Sequence, residues 1–145
     1  MGARGFTLIE IMVVMAILAL MLVLISPTFS TALPGVSLKA AARTLAGSLR
    51  HARSRAIALN EEVALAIDVE SRRYAIVGAN TAGRLPGEGE IRLFTAQSEL
   101  IDATSGTIRF FPDGGSTGGG VTFIDGERRY RVLVDWLTGQ TSIHD

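Results

Sequence analysis

The sequence predicts an α+β protein in which a long N-terminal helix, first transmembrane and then amphipathic, packs on a small antiparallel β-sheet domain. Three observations carry that expectation. The run from Phe6 to Ser26 is apolar except for one charge, Glu10. From Ser37 to Asn60 the apolar residues recur at steps of four and three, which is the helical period. From Glu61 onward, short runs alternate apolar with polar residues and are broken by glycine, proline and aspartate, the pattern of half-buried strands.

Composition bounds the reading. A chain of 145 residues has room for one modest domain beside its apolar N-terminus. Lys plus Arg and Asp plus Glu number 14 each, so net charge gives no global reason for a nucleic-acid or acidic partner. There is no cysteine, which excludes a disulfide framework and a thiolate metal site. His51 and His144 are the only histidines.

Residues 6–26 match the roughly 20 that a transmembrane helix needs, whereas the apolar core of a secretory signal is about 7 to 15 long. Ser30-Thr31-Ala32 makes a weak cleavage site for such a signal. The leader, residues 1–5, carries Arg4 and the chain amine, which keeps the N-terminus cytoplasmic and sends the remainder across the membrane. A charge at mid-membrane costs about 2.5 to 3.5 kcal/mol by insertion scales. Glu10 therefore calls for an opposite charge, unless it is tolerated near the end of an ordinary anchor by snorkelling.

Residues 27–60 read as a kink followed by the amphipathic helix. Pro27 removes a helical hydrogen bond, and Pro34-Gly35 precedes Ser37, the expected N-cap. Leu38, Ala42, Leu45, Leu49, Ala52, Ala56 and Leu59 form one stripe of small and medium side chains, and Asn60 is the expected C-cap. The same helix carries Lys39, Arg43, Arg50, Arg53 and Arg55 with no acid among them. This basic surface reads as a solvated face or as attraction to lipid head groups or acidic neighbours. DNA binding is the third reading, disfavoured because no aromatic residues are interleaved for stacking.

Residues 61–145 read as the β-rich domain. Strands are expected from Val63 to Ile67 and from Arg73 to Val77 as a hairpin, then at Ile91 to Thr95, Thr107 to Phe111, Val121 to Ile124, Tyr130 to Asp135 and Thr141 to Ile143. Residues 78–89, with Asn80, Gly83, Pro86 and Gly87, read as an exposed loop. Asp125-Gly126 marks a tight turn, and Trp136 is expected to anchor the core. The glycine-rich run Asp113-Gly114-Gly115-Ser116-Thr117-Gly118-Gly119-Gly120 lacks the Lys and following helix of a phosphate loop. Asp113, Ser116 and Thr117 also lack the ordered spacing of a calcium loop, so no metal or cofactor is expected. No nucleophile sits in a recognisable elbow, so no enzyme is expected either.

Gly5-Phe6-Thr7-Leu8-Ile9-Glu10 resembles the prepilin processing site shared by type IV pilins and the pseudopilins of type II secretion. The resemblance implies cleavage between Gly5 and Phe6 by a prepilin peptidase, N-methylation of Phe6, and a filament-assembly role for Glu10. The physical sense is that cleavage creates an amine at Phe6, and Glu10 of one subunit pairs with the amine of its neighbour on assembly. Phe111-Pro112-Asp113-Gly114 with Ser116-Thr117-Gly118-Gly119, and then Val134-Asp135-Trp136-Leu137-Thr138-Gly139, looks like the C-terminal domain of the type II secretion minor pseudopilin H family; Gly115 stands where a serine is frequent. Asp113, Gly114, Ser116, Thr117, Gly118 and Gly119 are its signature loop. This second resemblance implies a pilin-like fold and a subunit near the tip of a pseudopilus that helps export folded proteins across the outer membrane. It further implies an inner-membrane, single-pass chain with a periplasmic domain. Its partners would be other pseudopilins and the peptidase/methyltransferase, with no nucleic acid and no small-molecule substrate. A type IV pilus minor pilin, of the DNA-uptake or pilus-assembly kind, is the alternative.

Overall fold

The computed structural model describes residues 8–24, 34–86 and 88–145, and the chain forms two compact units, Met1–Ala32 and Leu33–Asp145. In the first unit, helix α1 spans Leu8–Leu24, 17 residues whose only polar member is Glu10. At 1.5 Å per residue it is about 25 Å long. Among the described residues no helix is long and apolar enough to cross a membrane. The expected span of residues 6–26 begins and ends outside the described residues, as does the expected break at Pro27.

The second unit begins with α2, Pro34–Leu59. Its start corrects the expected cap at Ser37, which lies inside the helix. Proline suits a first helical position because its missing N–H has no partner there in any case. The other end is as expected. Asn60 takes a left-handed φ of 54°, its N–H reaches Ile57 O, and Glu61 N–H reaches Ala56 O at 3.2 Å, the paired bonds of a Schellman cap. Leu38, Ala42, Leu45, Leu49, Ala52 and Ala56 are fully buried, joined by Ala46. Leu59, expected to end that stripe, is half-exposed because the helix stops there.

Among the described residues eight strands follow: β1 Val63–Asp68, β2 Arg73–Ile76, β3 Ala82–Arg84, β4 Glu90–Thr95, β5 Ser105–Phe110, β6 Gly119–Asp125, β7 Arg128–Val134 and β8 Thr141–His144. They form two antiparallel sheets, ordered β3-β2-β1-β5 and β4-β6-β7-β8. Alternation places Leu65, Ile67, Tyr74, Ile76, Ile108 and Phe110 of the first sheet in the core with Val121, Phe123, Val132 and Val134 of the second. Helix α2 packs on both. Where the sheets meet, the buried Thr95 donates its hydroxyl to Thr107 O.

Two expectations need correction. Residues 78–89 are not all loop, since β3 pairs there with β2, Arg73 facing Arg84 and Ala75 facing Ala82; three residues are too few to show an alternating pattern. The glycine-rich run is also shorter as a loop than expected, because Gly119 and Gly120 belong to β6. A side chain at Gly119 would lie 2.6 Å from Phe94 O, and one at Gly120 would overlap Val132 O, so the neighbouring strands approach too closely for a Cβ. The turn after Asp125 is a two-residue hairpin connection, with Asp125 facing Arg128 and Gly126 at φ 58°.

Phe110 is fully buried at the centre of this core. Phe110→Ala should lower the free energy of unfolding by about 3–5 kcal/mol in a urea titration, whereas Ile101→Ala, at an exposed site, should stay within about 0.5 kcal/mol.

Candidate functional site

Of the expected processing residues, Gly5 and Phe6 lie outside the described residues. Glu10 lies in the first turn of α1 and is exposed, where the helix dipole favours a carboxylate. Around it stand Leu8, Ile9, Ile11, Met12, Val13 and Val14, all exposed. A helix apolar on every side suits a bundle or a membrane.

Three turns of this unit are built around aspartates that accept hydrogen bonds from the backbone ahead of them. Asp135 Oδ1 accepts from Leu137 N at 3.1 Å and from Thr138 N at 2.8 Å, and also from the Thr138 hydroxyl. Asp68 and Asp102 repeat the arrangement with Ser71 and Ser105. The shared pattern is Asp-x-x-Ser/Thr, an Asx turn reinforced by a hydroxyl. Hydrogen bonds to the charged form favour it. The Ser105 hydroxyl, with the backbone at Thr104, lowers the Asp102 carboxyl to about 2; the Thr138 backbone and hydroxyl lower Asp135, and the Ser71 hydroxyl and backbone lower Asp68.

Asp113 belongs to the fourth such sequence, but among the described residues its oxygen accepts only from Gly115 N, at 2.9 Å. The buried Ser116 hydroxyl instead donates to Asp135 O at 3.1 Å and accepts from Gly118 N at 2.9 Å. Ser116 N donates to Trp136 O at 2.9 Å, while Thr117 and Arg109 exchange two bonds. The two stretches of the C-terminal signature, far apart in sequence, thus close on each other. Ser116 and Thr117 direct their hydroxyls at backbone, which is loop-building chemistry. Among the described residues no three His, Asp or Glu side chains stand close enough to hold a metal.

Helix α2 clamps this closure. Arg53 Nε donates to Gly114 O at 2.9 Å and to Thr138 O at 3.1 Å, one carbonyl from each stretch, and Arg50 donates to Thr141 O at 3.2 Å. Gly114 and Gly139 hold φ of 89° and 62° beside that guanidinium, where a side chain on either would press on Arg53. The expected basic surface is therefore divided. Arg50 and Arg53 fasten the β domain, Lys39 lies 5.9 Å over the Tyr130 ring, and among the described residues Arg43 and Arg55 make no hydrogen bond or ion pair. Helical periodicity shows where these side chains start but not that carbonyls await them.

Sequence reasoning also missed Glu99. It is buried at the short 3-10 turn Gln97–Glu99, where it pairs with Arg109 Nε at 3.2 Å and accepts from the Thr107 hydroxyl. Glu62 reaches the same guanidinium at 3.2 Å. Nothing in the local sequence marks this pair, since its partners come from separate elements. Trp136 corrects another expectation: rather than anchoring the core it stands exposed, because its backbone, not its ring, is what the loop uses.

Residues 41–139, the clamped domain, match the family model of type II transport protein GspH. The chain belongs to that family. Residues 1–26 match the prokaryotic N-terminal methylation motif. The chain is 35% identical over 137 residues to the type II secretion system protein H of Xanthomonas campestris pv. campestris, covering 94% of this chain and 80% of that protein. Its fold is similar to the minor pseudopilin EpsH of the Vibrio cholerae type 2 secretion system, with a TM-score of 0.58 at 14% identity over 74% of this chain and 96% of that one. It is also similar to the type IV minor pilin FimU of Pseudomonas aeruginosa, with a TM-score of 0.57 at 13% identity over 74% and 88%. At such identities these two likenesses establish a pilin-like α+β fold.

One outcome tests the clamp and another the aspartate turns. Arg53→Ala should destabilise the protein by about 1–3 kcal/mol, because it strands carbonyls that lose a charged donor, and Arg53→Lys should recover little of this, since an ammonium cannot copy the guanidinium's geometry. Folded Asp102 ionises below its unfolded value of 3.8, so its contribution is complete above that value and lost as pH falls toward about 2. Denaturation measured across pH 2–5 should show Asp102→Asn losing part of the wild-type slope.

Proposed function

We propose that this type II secretion minor pseudopilin is made as a prepilin, cut between Gly5 and Phe6 by a membrane peptidase, and methylated at Phe6. It assembles with other pseudopilins through the helix that carries Glu10, and acts as a structural subunit rather than a catalyst. The single observation that carries the reading is one carboxylate in the first turn of an otherwise wholly apolar helix, within the matched methylation motif. In a bundle of such helices the neighbour's new amine brings the opposite charge to the depth of Glu10, and each charge lowers the desolvation cost of the other. Arg4 ahead of the cut favours a cytoplasmic N-terminus, which makes the chain single-pass and the unit Leu33–Asp145 periplasmic. A place near the pseudopilus tip, in the export of folded proteins across the outer membrane, is the role that the family's minor standing supports.

The type IV pilus alternative has the likeness to FimU in its favour, a likeness of fold. Its DNA-binding form would draw on Arg50 and Arg53, both of which donate to carbonyls of their own domain.

Glu10→Leu should leave membrane insertion intact and abolish secretion of the system's substrates; normal secretion by that variant would remove Glu10 from the mechanism. Intact-mass analysis of the mature chain should show an N-terminus at methylated Phe6, and any other first residue rejects the processing step.

A further inference from the structure

Where α2 meets the hairpin of β7 and β8, a pocket of about 390 Å³ is lined by Arg50, Arg53, Ser54, Gly139, Gln140 and Thr141. Two cations stand in that lining and no acid. The two larger grooves of the domain each carry an aspartate in their walls, Asp68 over the first sheet and Asp135 over the second. Asp135, the carboxylate of this hairpin, lies outside the lining and is held by Leu137 N, Thr138 N and the Thr138 hydroxyl.

The lining holds donors that the fold leaves open. A guanidinium presents its N–H groups as a planar fork. Arg50 uses Nη2 on Thr141 O, and Arg53 uses Nε on Gly114 O and Thr138 O. Among the described residues their other nitrogens meet no acceptor, neither arginine has an ion pair, and the Ser54 hydroxyl has no partner. Thr141 adds an independent observation. Ser142 lies in the groove on the outer face of the sheet and Ile143 packs against the core, so alternation turns the Thr141 side chain toward α2. Its hydroxyl is, among the described residues, the one buried side-chain polar atom without a hydrogen bond, in a class of groups that is almost always paired. The backbone points the same way. Asp135 N donates to Gln140 O at 3.0 Å across the hairpin, and antiparallel bonds alternate, so the N–H and C=O of Thr141 turn away from β7 at the border of the sheet.

Chemistry selects the ligand. No large apolar side chain lines the pocket, and it has no carboxylate to hold a cation. Like charges three residues apart on one helix repel each other, and an anion with several acceptor oxygens relieves that repulsion while giving the open donors partners. A carboxylate would neutralise only one of the two charges, whereas a phosphate monoester carries about −1.5 to −2 at pH 7. We propose that this pocket binds a dianionic phosphate group through Arg50 and Arg53. The Thr141 hydroxyl, closed off from solvent in the structure, reaches the ligand by a turn about χ1 between staggered wells. A phosphate held there joins α2 to the hairpin and tightens the clamp on the signature stretches.

Titration of the full chain, in micelles of an uncharged detergent, with inorganic phosphate at constant ionic strength tests the proposal. The unfolding temperature should rise and saturate as the ligand fills a site present only in the folded state, and the amide resonances of Gln140 and Thr141 should move along the same curve. Arg50→Gln, at an exposed position, should weaken binding by roughly tenfold, because a charged donor becomes neutral. Thr141→Val separates binding from folding. It replaces the unpartnered hydroxyl by a methyl, so without phosphate it should unfold at the wild-type temperature or above it, yet bind phosphate more weakly. Glycerol phosphate identifies the source: binding tighter than that of inorganic phosphate marks an esterified phosphate, and weaker binding marks the free ion. The absence of a saturable response overturns the proposal. An equal response to acetate or to the diester glycerophosphoglycerol overturns it too, as does wild-type affinity in either variant.

Discussion

The rest of the domain depends on the buried stripe of α2. Ala42, Ala46, Ala52 and Ala56 have no exposed surface, and their small side chains let a sheet approach the helix closely on either side. Leu38, Leu45 and Leu49 fill the space between. One helix thereby touches β1 and β5 of the first sheet and β6, β7 and β8 of the second. Apart from it, the two sheets meet along β4 and β5, where Thr95 and Thr107 share a hydrogen bond. Enlarging an alanine on that stripe would have to push apart both sheets at once, and overpacking of a close-packed interior is commonly destabilising by about 1–3 kcal/mol.

The stripe was the most legible feature of the sequence because helical period and burial coincide over its length. The cap at Asn60 was legible for a similar reason: a residue tolerant of the left-handed region comes directly after the last turn. The short β3 was not, because three residues carry no period and its pairing with β2 is decided by the turn between them. Gly119 and Gly120 misled in the opposite direction. Glycine normally weakens a strand, yet here the backbones of Phe94 and Val132 come so near that glycine is required. At the candidate site the motif around Glu10 and the two signature stretches stood out as residues. That Arg53 joins the two stretches did not, since three segments must be folded before its donors have acceptors. The recurring Asp-x-x-Ser/Thr sequences were present to be read at Asp68, Asp102 and Asp135 and would have marked three of the turns.

Electrostatics divides the chain in a way that its zero net charge conceals. On α2, Arg50 and Arg53 donate to carbonyls of their own domain and act as structural donors. On β7 and β4, arginines project from a sheet face and define a surface. Glu10 is different again, a single carboxylate within a helix that is otherwise hydrocarbon. The same residue types therefore serve three ends, and what separates them is whether the neighbouring group is a backbone oxygen, water or apolar surface.

The pairing of Arg73 with Arg84 at the border of the first sheet has a consequence for crowding. A subunit held beside many copies of related chains exposes its outermost strand to every neighbour, and an unpaired backbone edge invites a foreign strand to add itself. Here that edge is only three residues long, with an arginine at its end and a second arginine across from it. An incoming strand would gain few backbone bonds and would have to approach two like charges. The β3 border is thus poorly suited to runaway sheet extension, in contrast to the six-residue β5 at the opposite border of the same sheet.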